Sequence, residues 1–523
     1  MEELNVKLAD LIFPEITETI EDLEKRFPKR DLKEGAEVTR FAPSPTGFLH
    51  IGGLFGSLID MRVANQSGGK FILRIEDTDK KREVENGITL LVKELKAFNI
   101  NNDEGVTGED TEIGEYGPYK QSAREYIYKV CAKELIKRGR AYPCFCTAEE
   151  LDKLREAQER SKQIPGYYGT FARCRNYTQE EAIAKIEAGD KYVVRFRSLG
   201  SHMRKVKVQD IIRGKIEMAE NDQDIVIIKS DGLPTYNFAN VIDDHLMDIT
   251  YVMRGNEYLS STPKYNLLYE AFGWEKPRYA HLTPIMKDAT RKLSKRHGDA
   301  NFDDFTKKGY LPEAIINYIA LLGWSPKGEQ EKFTMDELIE KFSIDGLSKS
   351  SSIFDENKMY WLNGEYIKEL EFDKFMEYAT PFFEQSKIKG LYDYAKFGKL
   401  LQSRIGIFSE IPEKVAFITE FNQIDPETYF NKKLKIDSEV AKVVLEKTIP
   451  LIEGIDNWCE DALHEVITST AAALEKKSGV VYTVLRIAIS AHSVTPGGIT
   501  ELADILGKEE SVKRLKQALA WLA

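Results

Sequence analysis

Between Val38 and Phe98 the chain alternates strand and helix in an order that few architectures accept. Val38 to Ala42 reads as a short strand that runs into Pro43-Ser44-Pro45-Thr46-Gly47, a turn stiffened by proline and ended by glycine. Ile51 to Asn65 follows with Leu54, Leu58 and Met61 at helical spacing and stops at Gly68-Gly69. Phe71 to Ile75 is a second strand, and Glu83 to Phe98 a second helix. Each return through a helix brings the next strand back parallel, so this order predicts a parallel, Rossmann-like α/β sheet.

Downstream the pattern changes twice. Ala123 to Arg138 is an amphipathic helix followed by Gly139, and Thr147 with Glu150 forms a capping box for the next helix. Tyr192 to Arg197, Lys205 to Val208 and Asp224 to Lys229 read as strands, so a block from about 119 to 235 interrupts the α/β region. Helix returns at Thr235 to Val241, a strand at Thr250 to Met253, and Pro263 opens a helix that ends near Phe272-Gly273. Beyond Pro312 nearly everything is helical, which predicts bundles. At roughly 100–200 residues per domain the length implies three to five domains. There is no internal repeat and no apolar run approaching the ~20 residues of a membrane span. The first 36 residues are acidic and lack the basic and apolar regions of a secretory signal. Five cysteines, an odd count, point to a reducing, cytoplasmic location. The net charge of −11 weighs against non-specific adhesion to nucleic acid. It leaves room for local basic surfaces, because phosphates respond to charge within about 8–10 Å.

Two segments carry chemistry. Arg40-Phe-Ala-Pro-Ser-Pro-Thr-Gly-Phe-Leu-His-Ile-Gly-Gly53 is a strand, a rigid turn and a helix start. Free N–H groups at a helix start suit a phosphate, and Gly47, Gly52 and Gly53 let a nucleotide approach the backbone. Alone, a His-x-Gly more often marks a tight turn. Far downstream, Lys287, Arg291, Lys292, Lys295 and Arg296 stand against one acid, Asp288. Lysines on such a loop can close on a triphosphate as charge builds at the α-phosphorus. The P-loop pattern GxxxxGK[ST] is absent, which excludes a P-loop ATPase.

Taken together, the His50 string and Lys292-Leu-Ser-Lys-Arg296 resemble the HIGH and KMSKS signatures of class I aminoacyl-tRNA synthetases. From about Glu37 to the C-terminus the chain resembles the bacterial-type glutamyl-tRNA synthetases. The second histidine of HIGH is Gly53 here, so only His50 is assigned to the phosphates. The resemblance implies a Rossmann-like class I catalytic domain with an inserted acceptor-binding domain, followed by all-α anticodon-binding bundles. The expected divisions are an N-terminal extension (1–36), catalytic halves (37–118 and 236–273), the insert (119–235), a stem-contact domain with the KLSKR loop (274–372), and two helical anticodon domains (373–432 and 433–523).

The implied activity is ATP-dependent ligation of L-glutamate to the 3′ end of tRNA(Glu) through a glutamyl-adenylate, with Mg²⁺ accompanying ATP, by a monomer that does not engage membranes. His50, Lys292 and Lys295 are the implied catalytic residues, and Gly52, Gly53, Glu257, Met286, Ser294 and Arg296 complete the ATP site. Arg40, Tyr236 and Asn240 are expected at the side-chain carboxylate of glutamate, Arg254 at the α-carboxylate, and Ala42, Ser44 and Glu76 at the ammonium. A guanidinium offers a planar fork suited to a carboxylate. Arg204, Lys205 and Lys207 in the insert are expected at the acceptor stem. Arg404 resembles the arginine with which discriminating family members read the third anticodon base. Cys144, Cys146 and Cys174 resemble three ligands of a zinc site that some members carry; the fourth position falls on Asn176, a poor zinc ligand, so no zinc is expected. Three rivals fit less well. An adenylyl-transferring relative without tRNA, or a truncated glutamyl-queuosine-type paralogue, would lack the helical tail. A non-enzymatic RNA-binding paralogue would have lost His50 or Lys295.

Overall fold

The computed structural model describes residues 2–45, 49–79, 84–293 and 302–522. They form two compact units, residues 1–302 with 316–354, and residues 303–315 with 355–523. The first opens with helices α1 (Glu2–Ile12) and α2 (Ile20–Arg26), then β1 (Val38–Phe41), α3 (Ile51–Ser67), β2 (Lys70–Leu73), α4 (Gly87–Ala97), β3 (Glu104–Gly108) and β4 (Thr111–Ile113). It continues through α5 (Glu125–Lys137), β5 (Ala141–Cys144), α6 (Ala148–Arg160), α7 (Gln179–Glu187), β6 (Val193–Phe196), β7 (Lys205–Asp210), β8 (Gly214–Ala219) and β9 (Val226–Ile228). Helix α8 (Tyr236–Leu246), β10 (Tyr251–Gly255), α9 (Thr262–Phe272) and β11 (Arg278–Leu282) complete its α/β part.

The expected parallel sheet is present. Strand β1 pairs parallel with β2 and β2 with β3, while β4 adds antiparallel at the edge. A second sheet has the order β10-β11-β7-β8, with β10 and β11 parallel. Thr250 joins the two sheets: its N–H donates to the Val38 carbonyl at 3.0 Å, and its hydroxyl accepts from Val38 N–H at 2.8 Å. Strands β1 and β10 therefore run side by side, and the chain leaves them for different helices. This is the switch point of an open α/β sheet, where a crevice opens beyond the carboxyl ends of the strands.

The interrupting block does not stand apart from this sheet. Strands β5, β6 and β9 form their own antiparallel sheet, but β7 bridges β11 at Tyr279 and Asp210. The reason is Asp210. One carboxylate oxygen accepts from the N–H groups of Ile212 and Arg213, and the other from His281 N–H, which ties the β7–β8 turn to β11. The Thr147–Glu150 capping box is formed as expected.

Residues 1–36 are built into the first unit. Lys133 on α5 donates to the carbonyls of Phe13 and Ile16, and Arg30 forms a two-pronged pair with Glu104 at 2.6 and 2.9 Å. The remaining helices are α10 (Phe302–Lys307), α11 (Pro312–Gly323), α12 (Met335–Lys341), α13 (Glu356–Glu369), α14 (Phe372–Phe383), α15 (Tyr394–Leu401), α16 (Ile411–Ala416), α17 (Ser438–Glu453), α18 (Glu460–Ala473), α19 (Ser478–Ser490) and α20 (Ile499–Trp521). From α13 onward the second unit has one continuous core, from Phe375, Phe397 and Phe408 through Leu445 and Ile467 to Leu485 and Ala518. No break in that core marks residue 432.

Under the crevice lies a row of buried ions. Arg40 pairs with Asp244 at 3.0 Å, Asp244 with Arg74 at 2.8 Å, and Arg124 with Asp243 at 2.7 Å. Asp243 also accepts from Gln121 and from the Tyr128 hydroxyl, at 2.9 and 2.8 Å. Removing one partner strands the others in a dry interior. Asp243→Asn is expected to cost about 3–5 kcal/mol, measured as the denaturant shift of the unfolding transition of this unit; a shift under about 1 kcal/mol would mean the network is solvated.

Candidate active site at the sheet switch point

A cleft of about 750 Å³ opens beyond the ends of β1 and β10. Arg40, Ala42, Ser44, His50, Gly52, Gly53, Glu76, Tyr236, Arg254, Glu257 and Lys292 all line it. Residues that are scattered along the sequence thus converge on one wall-to-wall site. Ser294, Lys295, Arg296 and Gly47 lie outside the described residues.

At one end His50 is the N-cap of α3, and its Nδ1 accepts from Gly53 N–H at 2.9 Å. In the neutral ring the proton then sits on Nε2 as a donor. Both glycines sit in close quarters: a Cβ on Gly52 would lie 3.1 Å from the His50 ring, and one on Gly53 would lie 2.9 Å from the end of the Leu49 side chain.

At the other end Arg40 is 4 % exposed. Burial opposes its charge, and Asp244 more than restores it. Nε and Nη2 donate to the two Asp244 oxygens and Nη1 to the Met253 carbonyl. Three of the five guanidinium N–H groups are engaged, which leaves two for a ligand. Arg254, at the end of β10, is held by a relay that sequence reasoning missed. Asp210 accepts from His281 Nδ1 at 2.7 Å, which leaves His281 Nε2 unprotonated to accept from Arg254 Nε at 3.2 Å. Burial lowers the His281 pKa and keeps the ring neutral, despite the Asp210 carboxylate. Arg254 Nη2 donates to the Thr262 hydroxyl, and Nη1 makes no hydrogen bond among the described residues.

Glu76 lines the same cleft, 3.7 Å from Arg74, with its side chain 9 % exposed. Burial pushes its carboxyl up to about 7, against the pull of Arg74 and then Arg40. The Tyr236 ring packs 5.6 Å from that of Tyr258, and burial keeps its phenol protonated as a donor. Two expected residues do not line the cleft. Asn240 is buried and donates to the Tyr236 carbonyl at 3.2 Å. Met286 has its N–H on the Ser352 carbonyl and its own carbonyl on Phe354 N–H, so both backbone groups are taken; its neighbour Ile285 lines the cleft instead. Asp288 occupies Arg291 through a 2.6 Å contact, leaving Lys292 as the cation of this turn that reaches the cleft.

Outside the cleft, Cys144, Cys146 and Cys174 hold their sulfur atoms within 4.8 Å of one another. The Tyr167 hydroxyl lies 3.4 Å from Cys144 Sγ and 3.3 Å from Cys146 Sγ. The ligand count made from sequence looked to Asn176 and missed this phenol, which lies seven positions before Cys174. Lys207 is exposed on β7, opposite Glu217 of β8, and Lys205 lies 3.9 Å from Glu217. Arg204 is paired with Glu220 at 2.8 Å. In the second unit Arg404 stands beyond α15, donates to the Leu400 carbonyl at 2.6 Å and lies 3.6 Å from Glu501.

Comparison with known proteins agrees with this geometry. Residues 37–361 match the family model for tRNA synthetases class I (E and Q), catalytic domain, and residues 374–519 match an anticodon binding domain. The chain is 48 % identical over 482 residues to the glutamate–tRNA ligase of Clostridium novyi, covering 91 % of this chain and 96 % of that one. The ligase of Clostridium acetobutylicum is 46 % identical over 481 residues, covering 91 % and 97 %. The crystal structure of a glutamate tRNA ligase from Elizabethkingia meningosepticum in complex with its amino acid superposes with a TM-score of 0.83 at 32 % identity, over 94 % of this chain and all of that one. The chain belongs to the glutamate–tRNA ligase family of class I aminoacyl-tRNA synthetases.

Proposed function

We propose that this chain ligates L-glutamate to the 3′ end of tRNA(Glu) in two steps that share the cleft. The observation that carries this reading is that Arg40 and Arg254, on adjoining strand ends, line one cleft together with Glu76. Two guanidiniums and one carboxyl match the two carboxylates and one ammonium of glutamate. In the first step an α-carboxylate oxygen attacks the α-phosphorus of ATP, and the bond to pyrophosphate breaks. In the second, a terminal ribose hydroxyl of the tRNA attacks the carbonyl carbon, and AMP leaves. The protein supplies no nucleophile; it positions the reactants and stabilises developing charge.

Arg254 holds the α-carboxylate, aimed by neutral His281. Arg40 holds the side-chain carboxylate with help from the Tyr236 hydroxyl, and Asn240 supports Tyr236 from behind. Ser44, Glu76 and the backbone of Ala42 take the ammonium. Donors at the α3 start, His50 Nε2–H, Lys292 and Lys295 take the phosphates, and Glu257 takes the ribose. Mg²⁺ enters with the triphosphate and neutralises part of its charge. Lys205 and Lys207, on the exposed face of the β7–β8 hairpin, meet the acceptor stem, and Arg404 reads the anticodon. The enzyme acts as a cytoplasmic monomer. Among the described residues no helix is long and apolar enough to cross a membrane.

Three thiols and the Tyr167 phenol are a donor set suited to a tetrahedral zinc ion, which would hold the β5 end, Tyr167 and Cys174 together. Tyr167 offers the fourth ligand that Asn176 does not, which favours zinc over the expectation drawn from sequence. Elemental analysis of the purified protein is expected to find one equivalent of zinc. Protein that is folded, active and zinc-free would assign the cluster to S–H···O hydrogen bonds alone.

The activity is tested by ATP–pyrophosphate exchange. Exchange is expected with glutamate and not with glutamine, and only when tRNA is present, with Lys295→Ala lowering it by about 10²–10³. Robust exchange without tRNA, or with another amino acid, would overturn the assignment.

Glu76 gives the site an acid limb. Glutamate's ammonium prefers the ionised carboxylate, so binding drives a proton off Glu76. Because that carboxyl is pushed up to about 7, the KM for glutamate should climb as pH falls below 7, approaching tenfold per pH unit. Glu76→Gln should start with a higher KM and show a flat profile. A wild-type KM that stays constant down to about pH 5.5 would place the ammonium elsewhere.

A further inference from the structure

One buried acid in the cleft has no task in this scheme. Asp60 lies on α3, 1 % exposed, and lines the cleft with Arg40. Its side chain makes no hydrogen bond among the described residues, and Oδ1 is fully enclosed without a partner. A buried polar atom left unsatisfied costs on the order of 1–3 kcal/mol, so its position calls for a partner. Asp244 and Asp243 on α8 accept from arginines, glutamine and tyrosine. Asp60 combines an unpartnered carboxyl oxygen with a place in the lining of the cleft.

We propose that Asp60 contacts the side-chain carboxylate of glutamate, donating its carboxylic O–H to the oxygen of that group which Arg40 leaves uncovered. The inference rests on the assignment of Arg40 to this carboxylate.

The donor role requires a neutral Asp60, and its surroundings keep it so. Burial raises its pKa well above the usual carboxylate range; Arg40 pulls the other way, and Asp244 adds to the rise. Arg40 cannot hold Asp60 ionised because its fork is already committed to Asp244. The reach of Arg40 is also limited by geometry. Its two remaining N–H groups come from one edge of the guanidinium, whereas a carboxylate presents about four acceptor directions. A neutral acid on the adjoining helix fills one of these without adding a second positive charge. An O–H donated to a carboxylate is a short, charge-assisted bond, stronger than a bond between neutral groups. The same contact explains how a carboxyl is tolerated beside a substrate carboxylate, since an ionised Asp60 would repel it.

The test is a set of variants read by glutamate-dependent, tRNA-supported pyrophosphate exchange. Asp60→Leu keeps the branched outline of the side chain, though not its volume, and removes the donor. It should raise the KM for glutamate about tenfold or more, with kcat and the KM for ATP changed less than about twofold. Asp60→Asn keeps a neutral donor at the same place and should recover most of the loss. This split between substrates, with rescue by the amide, is not what a packing defect would produce. An unchanged glutamate KM in Asp60→Leu, or equal losses in both variants, would overturn the contact. Arg40→Ala separates the two levels of inference. If it weakens glutamate while the Asp60 variants do not, the subsite stands and Asp60 leaves it; if it does not weaken glutamate, the subsite assignment itself fails.

Discussion

The buried ion row Arg40–Asp244–Arg74, with Asp243–Arg124 beside it, fixes what the rest of the site can be. Such a row is a poor source of stability, because the desolvation of each ion offsets most of its attraction to the next. Its value is positional. A guanidinium in water samples many rotamers, whereas Arg40 is clamped edge-on by Asp244 and cross-braced by the Met253 carbonyl. Its free N–H groups therefore keep one direction before any substrate arrives, which removes an ordering cost from binding. The clamp also ties together α8, β1 and the end of β2, so the geometry of the carboxylate end is set by the packing of the sheet itself.

Arg254 is held by a different device to the same end. Its partner is a neutral histidine, so its charge remains largely uncompensated and available to the α-carboxylate. The histidine can play this part only because Asp210 takes the proton of Nδ1. Asp210 closes the β7–β8 turn, and the exposed face of that hairpin carries Lys205 and Lys207. Arg254 and the β7–β8 turn are thus linked by two side-chain contacts, Arg254 to His281 and His281 to Asp210, and by the bonds of Asp210 to main-chain N–H groups of the turn.

Much of this was legible in the sequence, and the pattern of what was not is physical. The first strand–helix–strand–helix run and the helices α5, α8 and α9 were readable because period and punctuation are local: Gly68 and Gly273 sit at left-handed helix ends where the pattern stops. The short strands β3, β4, β5 and β8 and the helix α7 were not read. Ligand-facing residues were readable where a contiguous string carries them, as with Arg40 to Gly53. Long-range pairing was not. Asp243 and Asp244 drew no assignment from sequence, although two adjacent acids on an otherwise apolar helix face were a signal of buried ions. His281 lies within an apolar strand and bonds across 71 residues to Asp210, and nothing in either neighbourhood marks the other. Tyr167 escaped because the ligand search ran forward from Cys174 at a fixed spacing, while the phenol approaches the thiols from behind through a loop. Asp60 escaped because burial on all sides of α3 hides which face meets the cleft.

The two ends of the cleft are built from different materials, and the reaction accounts for it. Glutamate's side-chain carboxylate and ammonium keep their charges throughout activation, so rigid buried partners serve them equally well in the ground and transition states. That is binding without rate enhancement, and it serves selection. The phosphate end must do the opposite, since charge redistributes there as the α-phosphorus is attacked. It is made of backbone donors at the start of α3 and a histidine whose Nδ1 is committed to capping that helix. The cap fixes Nε2–H as the only donor the neutral ring can offer. Gly52 and Gly53 keep the helix start bare. A helix start presenting main-chain donors, with one oriented imidazole beside it, offers a charge that develops there a field that is already in place.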